Sequence, residues 1–267
     1  AVAMEQRARE MGKTSEAAVY RKYINAMKKK TKRMNEAVSA AQQAAIAIDM
    51  KKKGRKPKSL KEMFGDTMIA KKEYTGKISV PLIRVYNPRK AVSALAAELY
   101  GNPSKDLTII GITGTNGKTT TAALISSVLK QAGHKIAQIG TLGLISDAIN
   151  HFDTLTTPDA ITLQRTFSNL LKSDVTHVVM EVSSHALDQE RVANVDFDIA
   201  VFTNLSPEHL DYHKTLDSYF ETKLKLFKML PQSSKSIVNT STKYGQMIEE
   251  ISTTPPISFC GKNDSSF

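Results

Sequence analysis

Residues Ile109 to Thr121 read IIGITGTNGKTTT, and this run leaves few folds open to the chain. The apolar stretch Leu107–Ile112 predicts a buried strand. Gly-Thr-Asn-Gly predicts a tight turn, and Lys118-Thr119-Thr120 opens an amphipathic helix with Leu124, Ile125, Val128 and Leu129 at helical spacing. A strand, a glycine loop and a helix N-terminus make a cradle for phosphate, because backbone N–H groups and the positive end of the helix dipole face the anion. In such a cradle Lys118 would reach β- and γ-phosphates and the Thr119 hydroxyl would ligate Mg²⁺. The strict pattern GxxxxGK[ST] is not met, since Ile112 stands where its first glycine belongs; Gly114–Thr120, GTNGKTT, is what remains. The competing reading is a glycine-rich turn ahead of an ordinary helix.

The rest of the chain extends this unit. Strands are predicted near 107–113, 136–140, 176–182 and 197–203, with a weaker one at 236–239, and helices near 117–132, 160–172 and 215–230. Upstream, Pro88–Tyr100 reads as a helix, and Ile78–Val85 as a strand that Pro81 confines to an edge or breaks. The alternation predicts an α/β fold, a mostly parallel sheet with helices on both faces. Ligands bind such sheets outside the carboxyl ends of the strands.

Charge is unevenly spread. Residues 1–80 carry 20 Lys and Arg against 8 Asp and Glu, whereas the remainder is close to neutral. Residues 1–77 therefore read as a basic, helical or partly disordered segment, 78–106 as a connector, and 107–267 as the nucleotide domain. Within it, residues 1–60 are either a solvated arm or one that binds nucleic acid or an anionic surface. Tyr20 and Tyr23 are the only aromatics before Phe64, so no stacking platform for bases is evident. No apolar run is long enough to span a membrane, and the N-terminus lacks an apolar signal region. A single cysteine, Cys260, permits no internal disulfide, which fits a cytoplasmic location.

Other polar clusters follow predicted strands. In Val178–Arg191, VVMEVSSHALDQER, Glu181 ends a strand where a nucleotide site needs a Mg²⁺ ligand or a water-orienting group; alone it would read as a solvated strand-end carboxylate. Ser183, His185, Gln189 and Arg191 crowd the following loop and could grip an anionic or sugar-bearing substrate. In Phe202–His213, FTNLSPEHLDYH, Glu208, His209, Asp211 and His213 are potential cation ligands, His209 through a neutral imidazole. Lys223 shares a helix face with Leu216, Phe220 and Phe227, so it either snorkels to the rim or is drawn inward to work beside a metal. Thr154–Asp159, TLTTPD, suits either an anionic ligand or a capped helix start with Pro158 at its first position.

Taken in order and spacing, GTNGKTTT, MEVSSHAL, FTNLSPEHLDYH and ETKLKLF resemble the central, ATP-binding domain of the Mur ligases, MurE type, over about residues 80–260. The resemblance implies a P-loop central domain and ATP-dependent amide-bond formation in peptidoglycan synthesis. A diamino acid would be joined to UDP-MurNAc-L-Ala-D-Glu through an acyl phosphate. It implies that Gly114, Thr115, Asn116, Gly117, Lys118, Thr119 and Thr120 hold ATP. Thr119 and Glu181 would hold one Mg²⁺, and His209 and Lys223, the latter as a CO₂-derived carbamate, would serve a second. Thr156, Thr157, Ser183, Gln189 and Arg191 match positions that hold the muramoyl peptide. The partners implied are thus small molecules, with no membrane. Glu208 stands where Asp is usual, and residues 1–77 do not resemble the family's UDP-binding domain. The central domain is expected to be incomplete at its C-terminus. A nucleotide-binding fragment lacking the UDP-binding and C-terminal domains, and hence ligase activity, is the alternative.

Overall fold

The computed structural model describes residues 68–76, 82–149, 155–252 and 256–260. The basic segment up to residue 67, and Thr154 of the TLTTPD turn, lie outside the described residues. The chain divides into two units after Pro88, inside the stretch read as a connector. In the first unit, β1 (Met68–Lys71) pairs in parallel with β2 (Leu82–Val85). Beside this pair Lys72 Nζ donates to Tyr86 Oη at 3.1 Å. Only the Leu82–Val85 half of the strand expected at 78–85 falls in a described strand, beyond the restrictive Pro81.

The second unit opens with α1 (Pro88–Tyr100) and a 3₁₀ turn at Pro103–Asp106. Then follow β3 (Thr108–Thr113), α2 (Lys118–Gln131), β4 (Ile136–Gly140), β5 (Gly143–Ser146), α3 (Ala160–Lys172), β6 (His177–Glu181) and α4 (Ser184–Asp188). After them come β7 (Ile199–Phe202), α5 (Leu210–His213), α6 (Leu216–Lys228), β8 (Lys235–Asn239), α7 (Lys243–Ile251) and β9 (Ile257–Phe259). The sheet runs β5-β4-β6-β3-β7-β8-β9, parallel throughout except for β5, which returns antiparallel to β4. Central β3 lies between β6 and β7, with Ile112 level with Glu181 and Thr113 level with Phe202. This register brings the loops after β3, β6 and β7 out together at one end of the sheet.

The two faces are unequal. On one, Ile109, Val178, Met180 and Phe202 pack under Leu163, Phe167 and Leu170 of α3, Tyr219, Phe220 and Phe227 of α6, and Ile248 of α7. On the other, Ile110, Ile112, Val179 and Val201 pack under α2 through Ala122, with Ile125 and Leu129 partly buried. In α2, contrary to expectation, Leu124 and Val128 are 64% and 66% exposed. The stripe that meets the sheet is Ala122, Ile125, Ser126 and Leu129, which turns those two side chains to the opposite side of the helix. Pro158 also differs from expectation. Asp159 is the N-cap of α3, its Oδ1 accepting from the N–H groups of Ile161 and Thr162, so Pro158 precedes the helix.

Candidate active site

The glycine loop is shaped by the segment after β7. Gly114 has a φ of 149°, and a Cβ there would meet Thr203 Oγ1 at 2.0 Å and Asn204 backbone atoms near 3 Å, so only glycine lets the two loops approach. Gly117, at φ 80°, caps α2 with no side-chain hydrogen bond, leaving the helix N-terminus uncovered. Thr115 N–H donates to Asn204 O and Asn116 N–H to Asn204 Oδ1, while Thr203 Oγ1 donates to Asn116 O at 2.7 Å. Thr115 Oγ1 exchanges hydrogen bonds with Ser206 O and N. The loop is thus tied to the segment after β7. Thr120 lies exposed in the first turn of α2.

At the end of β6, Glu181 is 1% exposed. Its Oε1 accepts from Thr119 Oγ1 and from Thr141 N–H, both at 2.9 Å, and its Oε2 accepts from Thr141 Oγ1 at 3.2 Å. A Cβ on Gly140 would lie 2.2 Å from Glu181 Oε1, so that glycine makes room for the carboxylate. A hydroxyl and a carboxylate in contact beside a helix N-terminus match the hard oxygen donors that Mg²⁺ takes.

Two lysines converge on one atom. Lys118 Nζ donates to Gly114 O and Thr115 O, and Lys223 Nζ donates to the same Gly114 O, each at 2.9 Å. Lys223 is 1% exposed, with Nζ 4.4 Å above the Tyr219 ring, so it is drawn inward rather than snorkelling. Burial, reinforced by the charge of Lys118 and opposed by Glu208, pushes the Lys223 amine down to about 7. Burial also lowers the Lys118 amine, against the pull of Glu181 and Glu208.

The histidines gather nearby. His209 is exposed, at φ 56° before α5, with its ring 5.0 Å from that of His185 and 6.2 Å from that of Tyr219. His213 is buried and bonded through Nε2 to Ser184 Oγ at 2.9 Å, so it braces the start of α4. Among the described residues no three His, Cys, Asp or Glu side chains converge as a metal cluster, so Glu208, His209, Asp211 and His213 do not form one. The peptide-binding candidates do assemble. Thr157 Oγ1 donates to Glu181 O and accepts from Ser183 N–H, and Arg191 Nη1 donates to Thr157 O at 2.8 Å. Arg191 also grips Gln189 Oε1 through Nε and Nη2, while Thr156 Oγ1 lies 3.3 Å from Thr141 Oγ1.

The family model described as Mur ligase middle domain matches residues 112–266. The chain belongs to the Mur ligase family. It is 46% identical over 173 residues to the UDP-N-acetylmuramoyl-L-alanyl-D-glutamate--2,6-diaminopimelate ligase of Corynebacterium glutamicum, covering 64% of this chain and 34% of that protein. The enzyme of the same name from Aquifex aeolicus is 44% identical over 185 residues, covering 69% and 38%. The chain thus spans about a third of the length of the curated relatives it matches. A solved structure of a ligase with that name superposes with a TM-score of 0.61 at 29% identity, covering 71% of this chain and 40% of that one.

In this Mur ligase domain the residues that act on other residues do not stand out in the sequence. Thr141 clasps Glu181, and Thr203, Asn204 and Ser206 shape the glycine loop. The available signal was position: each is a polar residue just past the carboxyl end of a sheet strand. Tyr219, buried beneath Lys223, carried no signal, since an aromatic at core spacing reads as core.

Proposed function

We propose that this chain provides the nucleotide-binding core of an ATP-dependent amide-bond ligase of peptidoglycan synthesis, working in the cytoplasm. The reaction would join a diamino acid to UDP-MurNAc-L-Ala-D-Glu, with diaminopimelate favoured by the names of the relatives. The observation that carries the reading is the meeting of Thr119 with Glu181 beside Lys118 and Lys223, at the mouth of an uncapped helix.

Gly114–Thr120 would hold ATP, its phosphates bound by the backbone N–H groups at the start of α2 and by the Lys118 ammonium, which would leave its loop carbonyls to do so, while the Thr115 and Asn116 N–H groups stay on Asn204. Thr119 and Glu181 would hold Mg²⁺, which neutralises the developing charge of phosphoryl transfer. Thr156, Thr157, Ser183, Gln189 and Arg191 would orient the substrate carboxylate for in-line attack on the γ-phosphorus. The amine of the diamino acid would then attack the acyl phosphate carbon and expel phosphate. Lys223 would carry CO₂ as a carbamate and, with His209, serve a second cation. Its burial beside Lys118 supports this, because an anion there relieves the repulsion of two amines sharing one carbonyl.

Calorimetry with Mg²⁺ and ATP tests the reading. Wild type is expected to bind, and Lys118→Ala to bind at least about a hundredfold more weakly, for the loss of charged hydrogen bonds to phosphate. Equal affinity of the two, or no binding by wild type, would refute it.

A further inference from the structure

Hydroxyls at the carboxyl end of the sheet are paired: Thr115 with Ser206, Thr119 with Glu181, Thr157 with the Glu181 carbonyl, and Thr203 with the Asn116 carbonyl. Among the buried hydroxyls of the described residues at this end, Thr113 is the exception. It is the last residue of β3, fully buried, and its Oγ1 has no hydrogen-bond partner. A buried polar atom left unpaired calls for a specific explanation. Strand pairing does not supply one, because Thr203 N–H donates to the backbone carbonyl of Thr113 and needs nothing from the side chain.

Side chains alternate along β3. Ile109 joins the larger core and Ile110 and Ile112 the smaller, so Thr113 faces the larger-core side. Helix α6 packs on that side through Tyr219, Phe220, Leu224 and Phe227. It carries Lys223 Nζ to 2.9 Å from the carbonyl of Gly114, the residue that follows Thr113. Orphan hydroxyl and buried amine therefore share one end and one face of the sheet without bonding each other.

We propose that Thr113 is a positioning residue for a carbamate on Lys223, its hydroxyl donating to a carbamate oxygen. The inference rests on the carbamate reading above. When CO₂ adds to the neutral amine, the nitrogen lone pair forms the N–C bond, one C=O π pair moves onto oxygen, and one N–H proton leaves to water. The N–H that remains still serves the Gly114 carbonyl. The oxygens stand roughly 2.2 Å beyond Nζ by ordinary bond lengths, which lengthens the side chain at the end and face of the sheet that hold a hydroxyl the bare amine does not bond. The new anion then has two donors in its surroundings, Thr113 and Lys118, which already reaches the same carbonyl.

The test is ¹³C NMR of the 267-residue chain titrated with ¹³C-bicarbonate, with thermal melts in CO₂-free and bicarbonate buffers. Wild type is expected to show a carbamate signal that Lys223→Ala removes. Thr113→Val should need roughly tenfold more bicarbonate for the same signal, and Thr113→Ser should titrate like wild type. In CO₂-free buffer Thr113→Val should melt no lower than wild type, since it only removes an orphan hydroxyl. A Thr113→Val titration that matches wild type, or a Thr113→Ser titration that fails with it, overturns the proposal while leaving the carbamate in place. A Thr113→Val chain that melts well below wild type without CO₂ also overturns it, because the hydroxyl would then serve the bare fold. A wild-type chain without the signal overturns both readings.

Discussion

The two ends of the parallel sheet hold similar residue types and use them in opposite ways. At the amino end, the His134 and His177 rings lie with centroids 4.1 Å apart, tilted by 42°, and Lys135 pairs with Asp174 at 3.3 Å between two largely exposed side chains. At the carboxyl end, Lys118 and Lys223 converge on one buried carbonyl, and a buried Glu181 takes three hydrogen bonds. Water screens the first set, so it contributes little and costs little. The second set is withdrawn from water, where each charge needs a fixed partner and acts more strongly on whatever enters. A shared sheet thus separates a solvated end from a preorganised one.

Glycine substitutions give the largest test of that contrast. Gly114→Ala at the carboxyl end is expected to cost about 2–4 kcal/mol, from an overpacked contact with Thr203 and a strained φ. Gly133→Ala at the amino end, at φ 88° with nothing within 4 Å of the new Cβ, should cost only about 1 kcal/mol. Urea unfolding of both variants measures the difference, and equal losses would break the comparison.

The pH response is the next. Burial first, then the charges of His209, His213 and Arg191, lower the His185 imidazole to about 4, with Asp211 opposing. The fold favours neutral His185 while the unfolded chain titrates near 6.5, so this stabilisation is complete above pH 6.5 and is lost as pH falls from there to about 4. Discounted for partial exposure, it amounts to about 1–2 kcal/mol. Unfolding free energies of wild type and His185→Gln at pH 7 and pH 4.5 should show wild type losing more by that amount; parallel losses would count against it. The smallest effect is expected for Lys135→Ala, which removes an exposed ion pair and should shift stability by less than about 0.5 kcal/mol. A loss above 1 kcal/mol would mean the amino end is less solvated than its exposure implies.

Much of the domain was legible in the sequence because its signals are local. The helix at Pro88–Tyr100 has the bounds the sequence predicts, and the strands predicted at 107–113, 136–140, 176–182 and 197–203 lie within two residues of the observed ends. Apolar runs and glycine punctuation decide these elements within a few residues of chain. The strands β5 and β9 and the helices α4, α5 and α7 were not read, being short or polar enough that their neighbours, more than their own composition, stabilise them. Leu124 and Val128 misled for a related reason: composition marks a helix as amphipathic, but the sheet beneath selects which stripe is buried.

By itself the sequence determined a strand, glycine loop and helix over residues 107–131, the order of the following motifs, and a lysine at position 223 on an otherwise apolar helix face. Only the tertiary structure decided that Glu181 meets Thr119, residues 62 apart in the chain, and that Lys223 reaches Gly114 across 109. It also decided that Thr113 is buried without a partner. Periodicity reports which face a residue occupies within one element. Contact between elements depends on strand order and register, and those are set by how the whole sheet buries its two faces.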